Sequence, residues 1–157
     1  MLRAMLVVAL CLAWGTATAS ESDNRRLAEI FWADQQAREE PIDWPAVVEQ
    51  DRAHRAEVLA LLRANALRTS YDYFNAAIVF QHGQTPDDYL LALSLAQIAA
   101  TLDPDNKPAL WLTAAAMDRL LMKRKLPQWY GTQYDKATAD SPLKLYTVDE
   151  SVVSDEE

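Results

Sequence analysis

Apolar side chains recur at intervals of three to four residues along most of this chain, which is the period of an α-helix. The spacing predicts a first helix from about Asn24 to Arg38, and a second that begins at Asp43-Trp44-Pro45 and ends near Ala66. The residues that follow helical spacing are Leu27, Ile30, Phe31 and Asp34 in the first helix, and those expected to face inward in the second are Val48, Val58, Leu59 and Leu62.

A third helix is predicted from Tyr71 to His82, with Ser70 as its N-terminal cap. Apolar residues cover nearly its whole circumference between Phe74 and Phe80. A helix with so little polar face is expected to be central and buried. Gly83 follows it and is expected to close its C-terminal end.

Two further helices are predicted to form a hairpin. The fourth starts at Thr85-Pro86, an N-cap followed by proline at the first helical position, and runs to about Leu102. A Leu-Asp-Pro-Asp-Asn turn then leads into the fifth helix, from about Lys107 to Lys123. The stripe predicted for this last helix consists of Leu110, Ala114, Met117 and Leu121. The small residues Ala92, Ala96, Ala99, Ala100 and Ala109 around this turn resemble one tetratricopeptide repeat.

Beyond Pro127 the pattern changes to aromatic and β-branched residues. Segments 129–134 and 143–148 are predicted to be short strands of a β-hairpin, followed by an acidic tail at 149–157 that is expected to be frayed. The predicted fold class is therefore mainly α, with about five helices in antiparallel, tetratricopeptide-like hairpins and a small C-terminal β-hairpin.

Residues 1–19 are predicted to be a signal peptide. A positive start at Arg3 precedes a short apolar stretch, and Ala17-Thr18-Ala19 supplies the small-residue pattern of a cleavage site. Cleavage would leave a single domain at 20–148 plus the tail, exported to the periplasm or secreted. The apolar stretch is too short to span a bilayer, so no integral membrane segment is expected after cleavage.

Composition limits the partners of the exported chain. The only cysteine, Cys11, lies in the signal peptide, so the domain must fold on an apolar core without disulfides. After cleavage, 14 Lys and Arg stand against 23 Asp and Glu, a net charge of −9. This charge disfavours nucleic acid and acidic lipid surfaces. The negative charge either favours a basic peptide or protein partner or only increases solubility.

Several kinds of chemistry lack their usual residues in this chain. His54 and His82 are far apart, and no paired cysteines, calcium loop or glycine-rich phosphate loop occurs, so neither a metal nor a cofactor is predicted. No serine lies in a nucleophile elbow, and Thr132 is the remaining candidate nucleophile.

Five short motifs from Asp51 to the C-terminus resemble the DUF6624-type family, a group of uncharacterised bacterial proteins. The motifs are Asp51-x-x-x-Arg55, Gln81-His82, Asp118-Arg119, the Gln-x-Tyr-Gly-Thr-Gln run at 128–133, and Tyr146-x-Val148-Asp149 with the acidic residues that follow. The resemblance implies no established activity, substrate or cofactor, but it implies that these positions belong together.

The exported chain has only two glycines, and both lie among polar residues. Gly83 follows Gln81-His82, and Gly131 lies in the run from Gln128 to Gln133. Because glycine serves where the backbone needs positive φ or close approach, the two runs are expected to meet in space. The candidate binding residues are Asp51, Arg55, Gln81, His82, Asp118, Arg119, Gln128, Tyr130, Gly131, Thr132 and Gln133.

The charged candidates have two interpretations each. Asp51 and Arg55 are four residues apart on the apolar stripe of the second helix, which predicts a partly buried ion pair that orders packing or binds a ligand. The carboxylate of Asp118 should also point toward packed surface. Together with Arg119, Asp118 would form either a charge network with the hairpin and Arg55 or part of a ligand-binding site.

His82 is the main acid-base candidate, because an ordinary histidine titrates near working pH. At the last turn of a helix it can instead serve as a simple C-terminal cap. As a general base it would need Asp118 or Asp51 to orient the ring, with Tyr130 or Thr132 opposite.

Three functions remain open. The first is an exported helical binding module that reads a small polar ligand or a peptide backbone through Gln81, His82, Tyr130 and Gln133. The second is a hydrolase in which His82 is the base and the N–H groups of Gly131 and Thr132 stabilise charge. The third is a structural protein in which the polar cluster only holds the fold together.

Overall fold

A computed structural model describes residues 22–39, 41–136, 138 and 141–153. Within these ranges it contains five α-helices and one two-stranded antiparallel sheet, which confirms the predicted fold class. The elements are α1 (Arg25–Gln36), α2 (Trp44–Arg63), α3 (Ser70–Gln81), α4 (Pro86–Leu102), α5 (Lys107–Lys123), β1 (Tyr134–Asp135) and β2 (Lys144–Leu145). The predicted signal peptide lies outside the described residues.

Local capping sets the helix boundaries. The side chain of Thr85 accepts a hydrogen bond from the backbone N–H of Asp88, and the Asp88 carboxylate accepts one in return, forming a capping box at α4. Thr69 and Asp72 make the same arrangement at α3. The N-cap of α3 is therefore Thr69 rather than the predicted Ser70, whose hydroxyl instead donates to the carbonyl of Ala99.

Helix α3 lies at the centre of the fold, as predicted, because it packs against all four other helices. Its Ala76, Ala77 and Val79 are completely buried. Helices α4 and α5 pack closely through small residues, among them Ala96 on α4 and Ala116 on α5. Within the described part of the chain, no helix combines the length and apolar composition needed to cross a bilayer.

Two inward-facing predictions are wrong by one position. Val48 is 45% exposed, and the buried side chain of that turn is Val47. Leu110 is 50% exposed, and its neighbour Ala109 is buried instead. One position rotates a side chain by about 100° around a helix, so a small error in the stripe moves a residue to the surface.

The C-terminal strands are much shorter than predicted. Tyr134 pairs with Leu145 and Asp135 with Lys144, whereas segment 128–133 is a loop. This loop cannot form a strand because its backbone N–H groups bind a side chain of α5, described below. The first part of the acidic tail is folded rather than frayed, since Asp149 N–H donates to the carbonyl of Gln128 and Val152 N–H to that of Asp149.

Candidate functional site

Three other helices converge on the C-terminal end of α3. The carbonyl of its last residue, Gln81, and those of the next two residues, His82 and Gly83, accept hydrogen bonds from Arg119, Arg55 and Tyr89, at 2.8, 3.4 and 2.7 Å respectively. The three donors come from α5, α2 and α4. The end of a helix leaves carbonyls unpaired and carries partial negative charge, so two arginines are well placed there.

His82 is oriented by a carboxylate from the first helix. Its Nδ1 lies 2.8 Å from Oδ2 of Asp34, which is completely buried in α1. The same oxygen accepts from the side chain of Gln35 at 2.9 Å. The His82 side chain is 21% exposed, and its Nε2 makes no hydrogen bond to the described residues. The ring is thus fixed at Nδ1, whereas Nε2 has no partner among the described residues.

Arg38 extends this cluster to a second buried carboxylate. Its Nη2 lies 2.7 Å from Oδ2 of Asp51, and its Nη1 lies 3.3 Å from Oδ1 of Asp34. The predicted ion pair between Asp51 and Arg55 is therefore wrong. Arg55 instead approaches Asp88 of α4, at 3.6 Å, because its side chain extends toward the end of α3.

Asp118 is completely buried and binds the loop that follows α5. Its two oxygens accept from the backbone N–H groups of Trp129, Tyr130 and Thr132, and from the Thr132 hydroxyl, at 2.8 to 3.2 Å. Asp118 therefore does not orient His82, as the hydrolase hypothesis required of it or of Asp51. The N–H of Thr132 is also occupied and cannot stabilise charge on a substrate.

The two glutamines of the loop close it internally. Gln128 is completely buried, and its Nε2 donates to the carbonyls of Gln133 and Tyr146 while its Oε1 accepts from Gln133 N–H. Gly131 provides the turn, since its φ of +68° is unfavourable for residues with a side chain. Gln128 is therefore enclosed within the loop and has a structural role.

The two polar runs meet, as expected, through Arg119. Its Nη1 donates to the carbonyl of Gln81 and its Nε to Oε1 of Gln133, at 2.8 and 3.0 Å. The side chains of Gln81 and Gln133 also share one acceptor, the carbonyl of Ala115, at 3.2 and 3.4 Å. Arg119 is thus held between the end of α3 and the start of the hairpin.

An open cleft of about 350 Å³ lies beside this junction. It is lined by Ile78, Gln81, His82, Trp111, Leu112, Arg119, Thr132, Gln133 and Tyr134. Arg119 also borders a second cavity of about 560 Å³ with Lys123 and Lys125. Tyr130 and Gly131 border neither, because they face a separate cavity near Leu145 and Val148. Of the candidate residues, the cleft therefore gathers Gln81, His82, Arg119, Thr132 and Gln133, and leaves out Asp51, Arg55, Asp118, Gln128, Tyr130 and Gly131.

Arg119 has a lowered pKa, chiefly because it is buried. Burial lowers the pKa of its guanidinium, the Tyr89 phenol raises it, and the charge of Arg38 lowers it further, with a net decrease. The guanidinium makes no ion pair with a carboxylate of the described residues, and both of its acceptors are neutral. A desolvated cation therefore lies at the wall of the cleft.

Sequence reasoning missed the residues that complete the site. Asp34 lies on the apolar stripe predicted for the first helix, and an acid at such a position indicates a buried partner. Arg38, Asp88 and Trp111 carry no comparable signal in the sequence. No group of three His, Cys, Asp or Glu side chains within the described ranges is close enough to hold a metal ion.

Comparison with known proteins finds no matching family model, no similar curated protein and no similar solved structure. The resemblance to the DUF6624-type family therefore depends on the sequence motifs alone. The positions of Gln81, Arg119 and Gln133, three of the residues that carry those motifs, nevertheless lie together at one junction.

Proposed function

We propose that this chain is an exported helical binding module, and that its site is the cleft beside the end of α3. The ligand is a small polar molecule or a short stretch of peptide backbone. The observation that carries the proposal is that two fixed polar side chains border the same open cleft. His82 is held by Asp34, and Arg119 by Gln81 and Gln133. Polar groups fixed in advance bind a ligand at a lower entropic cost.

The size and lining of the cleft support this function. Its volume of about 350 Å³ is within the range of small-molecule sites. Trp111 is 60% exposed and, with Ile78 and Leu112, supplies an apolar wall. The polar side chains of His82 and Arg119 border the same cleft. An apolar surface with a few converging polar groups is typical of ligand sites.

The test is a ligand panel measured by thermal shift on the wild type and two tryptophan variants. Trp111→Ala removes the apolar wall but no hydrogen bond, so its melting temperature should stay close to that of the wild type. It should lose the ligand-induced shift. Trp44→Ala is the matched control, because Trp44 is 58% exposed and lies outside the cleft. Equal ligand shifts in both variants would exclude the cleft as the site.

A hydrolase remains the second candidate, favoured by the contact between His82 and Asp34. A carboxylate at Nδ1 and a free Nε2 are the arrangement of a general base. The positive charge near the substrate would come from Arg119 instead of the loop N–H groups. Turnover of small esters that is lost in both His82→Gln and Asp34→Asn, and kept in Trp44→Ala, would establish this activity.

Export and family membership complete the proposal. The pattern of residues 1–19 supports export, and N-terminal sequencing of the secreted or periplasmic protein should begin at Ser20. The five sequence motifs support membership of the DUF6624-type family. The close α4–α5 pair and its connecting turn support the resemblance of this hairpin to one tetratricopeptide repeat.

A further inference from the structure

Three arginines gather around the end of α3, and only two of them are neutralised. Arg38 contacts the carboxylates of Asp34 and Asp51, and Arg55 approaches that of Asp88. Arg119 contacts no carboxylate of the described residues. Cations that lose water on burial are normally paired, because an unpaired buried charge is costly.

The hydrogen bonds of Arg119 do not replace that missing charge. The carbonyl of Gln81 lies at the negative end of α3, which offsets about half an elementary charge at most. The amide oxygen of Gln133 is neutral. The remaining positive charge is located at a wall of the cleft.

The guanidinium also has a free edge. Its Nε and Nη1 are engaged, whereas Nη2 makes no hydrogen bond to the described residues. His82 borders the same cleft with a free Nε2. Because Nδ1–H is directed at the Asp34 carboxylate, the ring donates from Nε2 only when it carries both protons, and a fixed cation beside such an imidazolium is what an anionic group requires.

We propose that the cleft binds a small organic carboxylate, whose charged group contacts Arg119 and His82 while its apolar part lies against Trp111. This inference depends on the proposed function, since it names the ligand class of the same cleft. A monoanion fits because Arg38 and Arg55 each have a carboxylate partner, whereas Arg119 is the one arginine of the three without such a partner among the described residues. The exposed indole provides the surface for a planar apolar body.

Benzoate is the probe, and benzamide is its neutral control of nearly the same shape. Calorimetric titration of the wild type should detect benzoate and not benzamide. Arg119→Gln should weaken benzoate binding by about tenfold or more, which corresponds to losing one charge-assisted contact. Arg119→Lys keeps the charge but loses the fork that Gln81 and Gln133 hold, so it should bind benzoate more weakly than the wild type and more tightly than Arg119→Gln.

Two further variants keep the test decisive if Arg119→Gln fails to fold. Trp111→Ala, which removes only an exposed side chain, should weaken benzoate binding and leave acetate binding unchanged. Lys123→Gln removes a cation of the other cavity beside Arg119 and should leave benzoate binding unchanged. If Lys123→Gln weakened benzoate binding as much as Arg119→Gln does, the anion would lie in that other cavity and the inference would be overturned.

The remaining outcomes separate the two proposals. If benzamide binds as tightly as benzoate, or inorganic phosphate binds and benzoate does not, the carboxylate inference is wrong. The binding function survives that result whenever a ligand of the panel still distinguishes Trp111→Ala from Trp44→Ala. If no ligand does so, both proposals fail together, and the cluster is structural.

Discussion

The imidazole of His82 and the carboxylate of Asp34 are joined by a 2.8 Å contact, although 48 residues separate them in the chain. Asp34 has no exposed surface, and within the described part of the chain its carboxylate contacts the side chains of His82, Arg38 and Gln35. The contact therefore has two consequences. It attaches α1 to the end of α3, and it fixes the ring that borders the cleft.

Asp34→Asn tests the first consequence. The amide keeps the shape but loses the negative charge that faces Arg38 and His82, so we expect the free energy of unfolding to fall by about 3 kcal/mol. Urea denaturation measures the change. Asp105→Asn, in the exposed turn before α5, should change stability by less than about 0.5 kcal/mol. Equal stabilities of the two variants would contradict a structural role for Asp34.

Sequence alone could predict the elements that are determined locally. Thr85 and Pro86 mark the start of α4 as N-cap and first helical residue, and α4 begins and ends at the predicted residues. The bounds of α5 were also predicted, since the turn that ends at Asn106 marks its start. The contact of Asp34 with His82 could not be predicted, because it depends on how α1 packs against α3.

The loop after α5 also adopts a conformation that the local sequence does not predict. The aromatic run at 129–134 has the composition of a strand, and composition favours strand when nothing else binds the backbone. In the fold, the carboxylate of Asp118 takes the N–H groups of Trp129, Tyr130 and Thr132. A tertiary interaction with one buried acid therefore overrides the local preference.

Asp118→Asn should detach this loop. The Nδ2 group of asparagine is a donor that would face backbone N–H donors, so we expect a loss of about 3 kcal/mol at this site. Segment 128–153 should become sensitive to limited proteolysis while the far-ultraviolet circular dichroism of the helices changes little. Asp135→Asn, an exposed position in β1, is the matched control. A cleavage pattern identical to that of the wild type would argue against Asp118 as the anchor.

The two glycines should respond differently to substitution. A Cβ at Gly83 would lie 2.2 Å from the Cβ of Asp88, so Gly83→Ala must displace the first turn of α4 and should cost about 1–3 kcal/mol. At Gly131 the nearest atom is a methyl of Val148 at 4.0 Å, and the difficulty is the φ of +68°. Gly131→Ala should cost about 1 kcal/mol, and Gly131→Asn less, because asparagine tolerates this conformation better. Thermal unfolding distinguishes the two causes, and an equal loss for alanine and asparagine at Gly131 would contradict the conformational explanation.

The stabilising effect of Asp88 should depend on pH. Burial raises the pKa of its carboxyl, but hydrogen bonds from Thr85 and Gln84 and the charge of Arg55 outweigh it, so the pKa falls below its ordinary value of 3.8. A carboxyl whose pKa is lowered on folding stabilises the fold above the unfolded pKa, and this stabilisation is lost as pH falls through the lower, folded pKa. We expect Asp88→Ala to cost about 1 kcal/mol at pH 7, as for a lost helix cap, and progressively less below about pH 4. Asp87→Ala, at the neighbouring exposed position, is the control for charge near the helix start. Urea denaturation between pH 3 and pH 7 measures the difference, and a gap for Asp88→Ala that stays constant with pH would mean that its carboxylate charge contributes nothing.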